Sequence, residues 1–222
     1  QEAAFEQWAI DLKGDIGQWD IVGPEYRDYQ GDTVDRDHFS YVGDFRYTNT
    51  SGRNDFVTCK VSSDPDSLYF YAECAADITA PEGTNWMNLF IDADCNGETG
   101  WYGYDFIINH KAKNEFTTTV AKYNGEGGAF SFETVGEVSY RVKDNEMMIA
   151  VPLELLGIEG YKEIDIEFKW ADSETTYDEM EDFYCDGDVA PLGRLNYVYQ
   201  NYIPGVSKIT YPESETQPET EA

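Results

Sequence analysis

The chain has 222 residues, of which 41% are hydrophobic and 15% aromatic, and its formal net charge is −29. This length suits one substantial core or two small ones, and the many aromatic rings exclude a disordered chain and favour β-sheet. The negative charge repels phosphate backbones and anionic lipid heads, which argues against nucleic acid or a membrane surface as a partner. No apolar run approaches the roughly eighteen residues of a membrane-spanning helix. The charge suits neutral or cationic ligands and divalent metals, although keeping a secreted protein soluble explains it equally well.

The first 50 residues are rich in loops and aromatic rings, and we expect them to add one or two strands and to cover an edge of the fold. Residues 24–37 (PEYRDYQGDTVDRD) mix two arginines with five acidic residues. This mixture predicts an ordered loop held by charge-assisted hydrogen bonds. The chain begins at Gln1 without an initiator methionine or an apolar leader. We therefore interpret it as a mature form, a cleaved product or an excised domain.

Eight short β-rich runs, in which two-residue alternation dominates, predict strands along the rest of the chain. They lie at 56–61, 68–74, 86–92, 104–109, 115–123, 137–142, 146–151 and 164–170. We expect the first two runs to pair, as well as the runs that flank Asp144 and Asn145. One helical turn is predicted where Pro152 precedes LELLGI and Gly157 ends it.

Many short strands without long intervening helices predict an all-β fold, a two-sheet antiparallel β-sandwich of jelly-roll type. Residues 1–210 would form this one domain. Residues 211–222 (YPESETQPETEA) contain four glutamates, two prolines and no basic residue. That composition predicts a disordered acidic tail or linker.

The cysteines show neither a CxxC motif nor a Cys/His metal spacing; they are Cys59, Cys74, Cys95 and Cys185. Counting outward from the predicted turn at 62–67 places Cys59 opposite Phe70 rather than Cys74. The sequence therefore predicts buried free thiols at Cys59 and Cys74. Whether Cys95 pairs with Cys185 stays open.

An oxygen-rich loop follows the predicted strand 86–92, and its first half has the D-x-D-x-N-G pattern of an EF-hand. The second half departs from that pattern, because the twelfth position is Gly103 instead of a bidentate glutamate. The loop also follows a strand rather than a helix, so it is not an EF-hand. Two alternatives remain, a structural calcium site and a metal-free hairpin turn. The candidate calcium ligands are Asp92, Asp94, Asn96, Glu98 and Asp105.

Two further polar stretches lie near the end of the chain. Residues 178–188 (DEMEDFYCDGD) are a weaker metal candidate and are more typical of a solvated loop. Arg194 precedes the last predicted strand region, and a buried ion pair with a loop carboxylate is the simplest interpretation of its position.

Several aromatic residues lie at strand ends or in loops, where a ligand site on the rim of a sandwich would form. A sugar is bound by flat rings against the apolar face of a pyranose and by polar groups at its hydroxyls. The candidate rings are Trp86, Trp101, Tyr102 and Trp170, with core packing as the alternative for each tryptophan. The polar candidates are Asn85, Asn88, Asn109, Arg53 and Asp172.

Three stretches in fixed order resemble family 9 carbohydrate-binding modules and the wider group of DOMON-like β-sandwiches. They are KVSSDPDSLYFYAECAADITAPEGTNWMNLFIDAD, NGETGWYGYDFIIN and MMIAVPLELLGIEGYKEIDIEFKWAD. The resemblance covers roughly residues 50–200. It implies a sandwich that binds sugars without catalysis, often contains structural calcium and is usually attached to a polysaccharide-degrading enzyme. Trp86 and Asp172 occupy matching positions.

The chain departs from that family after Asp172, because SETTYDEMEDFYCDGD contains no tryptophan for the opposite wall of a two-tryptophan site. Tyr177, Phe183 or Tyr184 would have to replace it. The resulting hypothesis is a non-catalytic, extracellular or cell-surface module, monomeric within a larger protein, that binds a poly- or oligosaccharide.

Three other functions are alternatives to sugar binding. A structural or adhesion module would need no ligand site. Glycoside hydrolysis needs a pair of carboxylates, which so acidic a chain provides by chance. Haem binding would need an axial pair such as His110 with Met87 or Met147.

Overall fold

A computed structural model describes residues 4, 7–41, 43–81, 85–159 and 163–202, so the predicted tail at 211–222 lies outside the described residues. The strands are β1 (Tyr26–Arg27), β2 (Arg36–Phe39), β3 (Arg46–Asn49), β4 (Phe56–Ser63), β5 (Ser67–Cys74), β6 (Asn88–Asp92), β7 (Phe106–Ile108), β8 (Thr117–Tyr123), β9 (Phe132–Lys143), β10 (Glu146–Pro152), β11 (Asp165–Asp172), β12 (Asp188–Ala190) and β13 (Tyr197–Gln200). Short helices are the 3₁₀ segments Ile16–Ile21 and Leu153–Leu156 and the α-helix α1 (Asp182–Cys185). Among the described residues no helix is long and apolar enough to cross a membrane.

All strand pairs are antiparallel, so the predicted all-β antiparallel fold is confirmed. The strands form one path in the order β1-β4-β5-β10-β9-β8-β7-β6-β11-β12, with β13 also on β11 and a separate β2–β3 hairpin. The long strand β9 pairs with β10 through 140–143 and with β8 through 132–139. The register of this pairing shifts between Val120 and Ala121 of β8, which leaves Val135 of β9 as a bulge residue. The two layers are therefore continuous through β9, which brings the sheet close to a barrel.

The main core lies between the two layers. Alternate residues of β5, such as Leu68 and Phe70, point inward and meet Phe168 and Trp170 of β11. Tyr71 points outward, where Trp19 of the first 3₁₀ helix covers it at a ring distance of 5.2 Å. Burial on both faces explains why strands such as β5 are almost wholly apolar.

The predicted pairings on both sides of 62–67 and of Asp144-Asn145 are confirmed, as is the helical turn that Gly157 ends with a φ of 67°. The predicted cysteine register is wrong by two residues. Cys59 lies opposite Ala72, because Ser63 pairs with Leu68 and the turn is centred later than expected. All four cysteines are free, and Cys59 and Cys74 are buried as predicted.

Candidate functional site

The three tryptophans predicted as ring platforms lie inside the protein. Trp101 and Trp170 are fully buried and Trp86 is 6% exposed. Trp86 packs edge-on against Tyr140, and its Nε1 donates to the Thr79 carbonyl at 3.0 Å. As placed, none of these rings offers a face to a ligand, so the rim position expected from sequence is corrected to core packing. Trp86 and Trp170 belong to the core between the layers, and Trp101 belongs to an aromatic cluster with Phe183 of α1.

Two of the three predicted asparagines, Asn88 and Asn109, are also buried and hold the backbone together. Asn109 donates to the carbonyls of Trp86 and Met87, each at 2.9 Å, and Asn88 donates to the Asn109 carbonyl at 2.7 Å. These bonds close the adjoining ends of β6 and β7. Asn85 also bonds the backbone, since its Nδ2 donates to the Thr175 carbonyl at 2.5 Å.

Arg53 and Asp172, both predicted to bind ligand hydroxyls, bind each other. Arg53 Nε donates to Asp172 Oδ1 at 2.5 Å, with side-chain exposures of 12% and 0%. The other oxygen of Asp172 accepts from Asn54 Nδ2 and from the Met87 amide, each at 2.9 Å. Burial raises the pKa of Asp172, and the charge of Arg53 opposes this shift. These partners all belong to the protein interior and Asp172 is fully buried, so its carboxylate is not presented to a surface ligand.

The predicted cation loop, residues 92–105, brings together three of its five candidate ligands. Carboxylate oxygens of Asp92, Asp94 and Asp105 lie within 4.8 Å of one another. The group also accepts hydrogen bonds from its own loop: Asp92 from the amides of Asp94 and Asn96 at 3.3 and 3.2 Å, and Asp105 from the Ala93 amide at 3.0 Å.

The remaining two candidates in this loop have other positions. Glu98 is exposed and lies outside that group of carboxylates, and its amide donates to Asn96 Oδ1 at 3.1 Å.

Within the group of three carboxylates, burial raises the pKa of Asp92 to about 6. The calcium-bound and metal-free alternatives are both compatible with this geometry, since the backbone amides hold the loop by themselves.

The acidic segment 178–188 divides into a surface part and a buried end. Asp182 Oδ2 accepts from the amides of Asp178 and Glu179, at 2.6 and 2.9 Å, at the start of α1. Asp188 is instead buried in β12, where burial raises its pKa to about 8. The ion pair predicted for Arg194 is formed with Glu181 at 3.2 Å. It lies at the surface rather than in the interior, with side-chain exposures of 69% and 40%.

The structure contains a cleft that the sequence did not identify. The β2–β3 hairpin packs against α1, and a cleft of about 400 Å³ lies between them. It is lined by Ser40, Tyr41, Phe45, Tyr47, Glu181, Tyr184 and Arg194. We call it the hairpin cleft. Its lining combines four aromatic rings with one exposed ion pair.

The hairpin is held in place by two bonds to one backbone carbonyl. Arg36 Nη2 and Asn49 Nδ2 donate to the Gly187 carbonyl at 3.2 and 3.1 Å. Inside the hairpin, the rings of Phe45 and Tyr47 lie 5.2 Å apart in an edge contact. Tyr41 at its tip is fully exposed. The hairpin thus presents rings to the cleft from an anchored base.

Two candidates from the sequence adjoin or line this cleft. Tyr102 is 46% exposed, and its hydroxyl donates to Glu179 Oε2 at 2.7 Å, which raises its pKa. Tyr184 lines the cleft, whereas Tyr177 and Phe183 are buried in an aromatic cluster under the loops. The turn-forming pair Gly43-Asp44 between two short aromatic-containing runs, RDHF and RYTN, was the available signal for the hairpin.

The chain matches no protein-family model, no curated protein and no solved structure in the comparisons made. Inferences about its function therefore depend on the residues and geometry described above.

Proposed function

We propose that the chain is a non-catalytic carbohydrate-binding module whose site is the hairpin cleft. The observation that carries this proposal is the combination of Tyr41, Phe45, Tyr47 and Tyr184 with the exposed Glu181–Arg194 pair in one cleft. Aromatic faces suit the apolar faces of sugar rings, and the charged pair supplies donors and acceptors for hydroxyls. A volume of about 400 Å³ lies within the range of small-ligand sites.

The charges around the cleft favour a neutral sugar. The whole chain carries a formal charge of −29, which disfavours polyanionic glycans. Glu181 is the one carboxylate among the described residues that line the cleft, and Arg194 engages it. Glycoside hydrolysis uses two carboxyl groups roughly 5–10 Å apart on either side of the bond. This supports binding without bond cleavage.

The haem alternative receives no support from the geometry of its candidate ligands. Met87 and Met147 are fully buried in the main core. His110 is half-buried on the other side of the sheet, near Phe130 and Phe132, and burial lowers its pKa. An axial pair for haem requires both ligands to face one pocket.

The resemblance to family 9 carbohydrate-binding modules is consistent with this proposal in substrate class but not in the position of the site. We infer a targeting module of a secreted or cell-surface glycan-degrading protein. Its aromatic platform consists of tyrosines and a phenylalanine beside an added hairpin, in place of two opposed tryptophans. An oligosaccharide would lie across the hairpin cleft towards Tyr102.

Affinity electrophoresis in gels that contain neutral polysaccharides, preceded by a glycan array, tests the proposal. Tyr47→Ala and Tyr184→Ala should each weaken binding about tenfold, since a lost ring contact is worth roughly 0.5–1.5 kcal/mol beyond its buried area. Phe116→Ala is the matched control, because Phe116 is also an exposed ring (62%) but does not line the cleft. Equal retardation of all three variants, or no glycan bound by the wild type, would contradict the proposal.

A further inference from the structure

Three carboxylates from separate parts of the chain converge beside the hairpin. Asp28 directly follows β1, Asp32 lies in the loop before β2, and Asp188 begins β12. Oxygens of the three side chains lie within 4.8 Å of one another. We call this group the aspartate triad. Its members are held in place by other bonds, because the Asp28 amide donates to the Val57 carbonyl at 3.0 Å and Asp188 Oδ2 accepts from the Phe56 amide at 2.7 Å.

The triad contains buried oxygens without partners. Asp28 Oδ2 and both carboxylate oxygens of Asp32 are shut off from solvent and accept no hydrogen bond from the described part of the chain. Asp188 is 4% exposed. Leaving a buried acceptor unsatisfied destabilises a fold, and burying a charge without a partner destabilises it more. Three such oxygens at one point therefore favour a positively charged ligand there.

The hydrogen bonds of the basic side chains nearby go to backbone carbonyls. Lys169 Nζ donates to the carbonyls of Pro191 and Gly193, at 2.5 and 2.9 Å. Arg36 lines the same cavity as Asp32 and Asp188 and donates to the Gly187 carbonyl and, at 3.4 Å, to the backbone carbonyl of Asp32 rather than to its carboxylate. Its Nε is buried without a partner among the described residues. No ion pair among the described residues includes a member of the triad. Asp55, which accepts from the Gly31 amide, adds further negative charge to this region.

We propose that Asp28, Asp32 and Asp188 bind a calcium ion that ties the β2–β3 hairpin to the edge of the two-layered sheet. The donors are all carboxylate oxygens, which hard cations prefer, and calcium accepts six to eight oxygens in variable geometry. A cavity of about 90 Å³ lined by Asp32 and Asp188 gives room for water ligands. Magnesium keeps several waters in strict octahedral geometry and fits three converging carboxylates less well.

This site is separate from the cation loop and from the resemblance to sugar-binding modules. Asp28 and Asp32 precede the stretch, roughly residues 50–200, that carries the resemblance. The two clusters also lie on different elements, since the loop joins β6 to β7 and the triad joins β1, the β1–β2 loop and β12. Each can therefore be altered without changing the ligands of the other.

The test compares three full-length proteins after removal of divalent ions: wild type, Asp32→Asn and Asp94→Asn. Asp94→Asn is the matched control, because it neutralises one carboxylate in the cation loop. Thermal unfolding is recorded in EDTA and in 1 mM CaCl₂, and calcium binding is measured by isothermal titration calorimetry. Asp32→Asn is preferred over a change at Asp188, since the Asp32 carboxylate makes no hydrogen bond whose loss would unfold the protein.

The effect of Asp32→Asn on the Tm is expected to have opposite signs in EDTA and in calcium. In EDTA, Asp32→Asn should raise the Tm above that of the wild type by a few degrees, because it removes a buried charge without a partner. In calcium it should lower the Tm relative to the wild type, because it removes a ligand. Wild type and Asp94→Asn should both gain stability from calcium and bind it at the triad.

Three results would overturn the metal site, and a fourth, measured with 1 mM MgCl₂ in place of CaCl₂, would overturn its assignment to calcium. One is a wild type without calcium-dependent Tm or heat of binding. Another is a calcium response that survives in Asp32→Asn and is lost in Asp94→Asn, which would place the ion in the cation loop. The third is a fall in Tm for Asp32→Asn in EDTA, which would mean that Arg36 or water already compensates the charge. A response to MgCl₂ equal to that to CaCl₂ would overturn the assignment to calcium.

Discussion

The cation loop and the aspartate triad each bring three aspartate carboxylates together, but they differ in how many hydrogen bonds those carboxylates accept. In the loop, Asp92, Asp94 and Asp105 accept hydrogen bonds from amides of the same loop. In the triad, Oδ2 of Asp28 and both carboxylate oxygens of Asp32 are buried and accept nothing from the described residues. A local acidic motif is therefore satisfied by its own backbone, whereas a cluster assembled from distant segments depends on what binds to it.

This difference explains why a motif is a poor guide to metal dependence in this chain. The D-x-D-x-N-G pattern gives a compact turn because each aspartate bonds an amide two or four residues further on. Such a turn is stable with or without an ion. The triad lacks such hydrogen bonds to neighbouring amides for Asp28 Oδ2 and for the Asp32 carboxylate. Its members belong to strands and to a loop that other bonds hold in place.

The largest expected effect comes from a third kind of buried carboxylate, Asp172, which has a basic partner. Asp172→Asn would remove the buried carboxylate of this ion pair, leaving Arg53 with the half-exposed Glu174 at 3.7 Å, and should reduce the free energy of unfolding by about 3–5 kcal/mol. Guanidinium unfolding in EDTA and in calcium measures this, and the loss should be the same in both. Asp32→Asn is expected to gain stability in EDTA. If Asp172→Asn also gained stability, the ion pair with Arg53 would not be what distinguishes the two aspartates.

A smaller loss is expected in the cation loop. Asp92→Ala leaves the amides of Asp94 and Asn96 without their acceptor, which should cost about 1–2 kcal/mol. Urea unfolding with and without calcium should give equal losses if the hydrogen bonds alone hold the loop. A loss that doubles in calcium would identify the loop as a second metal site.

The smallest expected effect links the triad to the hairpin cleft and depends on the proposed function. Asp32 precedes β2, so removing the ion should loosen the hairpin and weaken sugar binding two- to fivefold, which corresponds to roughly 0.4–1 kcal/mol. Affinity electrophoresis with and without EDTA measures this. Asp32→Asn should bind the sugar equally in both conditions. EDTA sensitivity that persists in this variant would contradict the link.

The strands of this fold follow from residue patterns that are visible in the sequence. Leu68 and Phe70 alternate with Tyr69 and Tyr71, and this period of two predicts a strand whichever face is buried. The pattern cannot reveal how the strand ends and loops pack. Trp86, Trp101 and Trp170 were expected at the rim, but the first and last lie in the core between the layers and Trp101 lies in an aromatic cluster with α1. We expect Trp86→Ala to destabilise the whole fold, as large core truncations do.

The candidate sites were harder to predict because they depend on contacts between distant segments. Tyr184 was considered as one wall of a sugar site, but its partners Tyr41 and Tyr47 come from a hairpin at the other end of the chain. The triad illustrates this more clearly, since Asp32 and Asp188 lie near opposite ends of the chain and come together only in the folded protein. Neither grouping leaves a short-range signal.

Gly187 lies at the point where these regions meet. Its φ of 65° and its closeness to the Asp172 carbonyl, 1.7 Å from where a Cβ atom would be, exclude any side chain without backbone movement. Its own carbonyl receives both anchoring bonds of the hairpin, and the next residue is Asp188. A random-mutagenesis screen for lost glycan retention should therefore recover substitutions of this glycine, although it presents no side chain to a sugar.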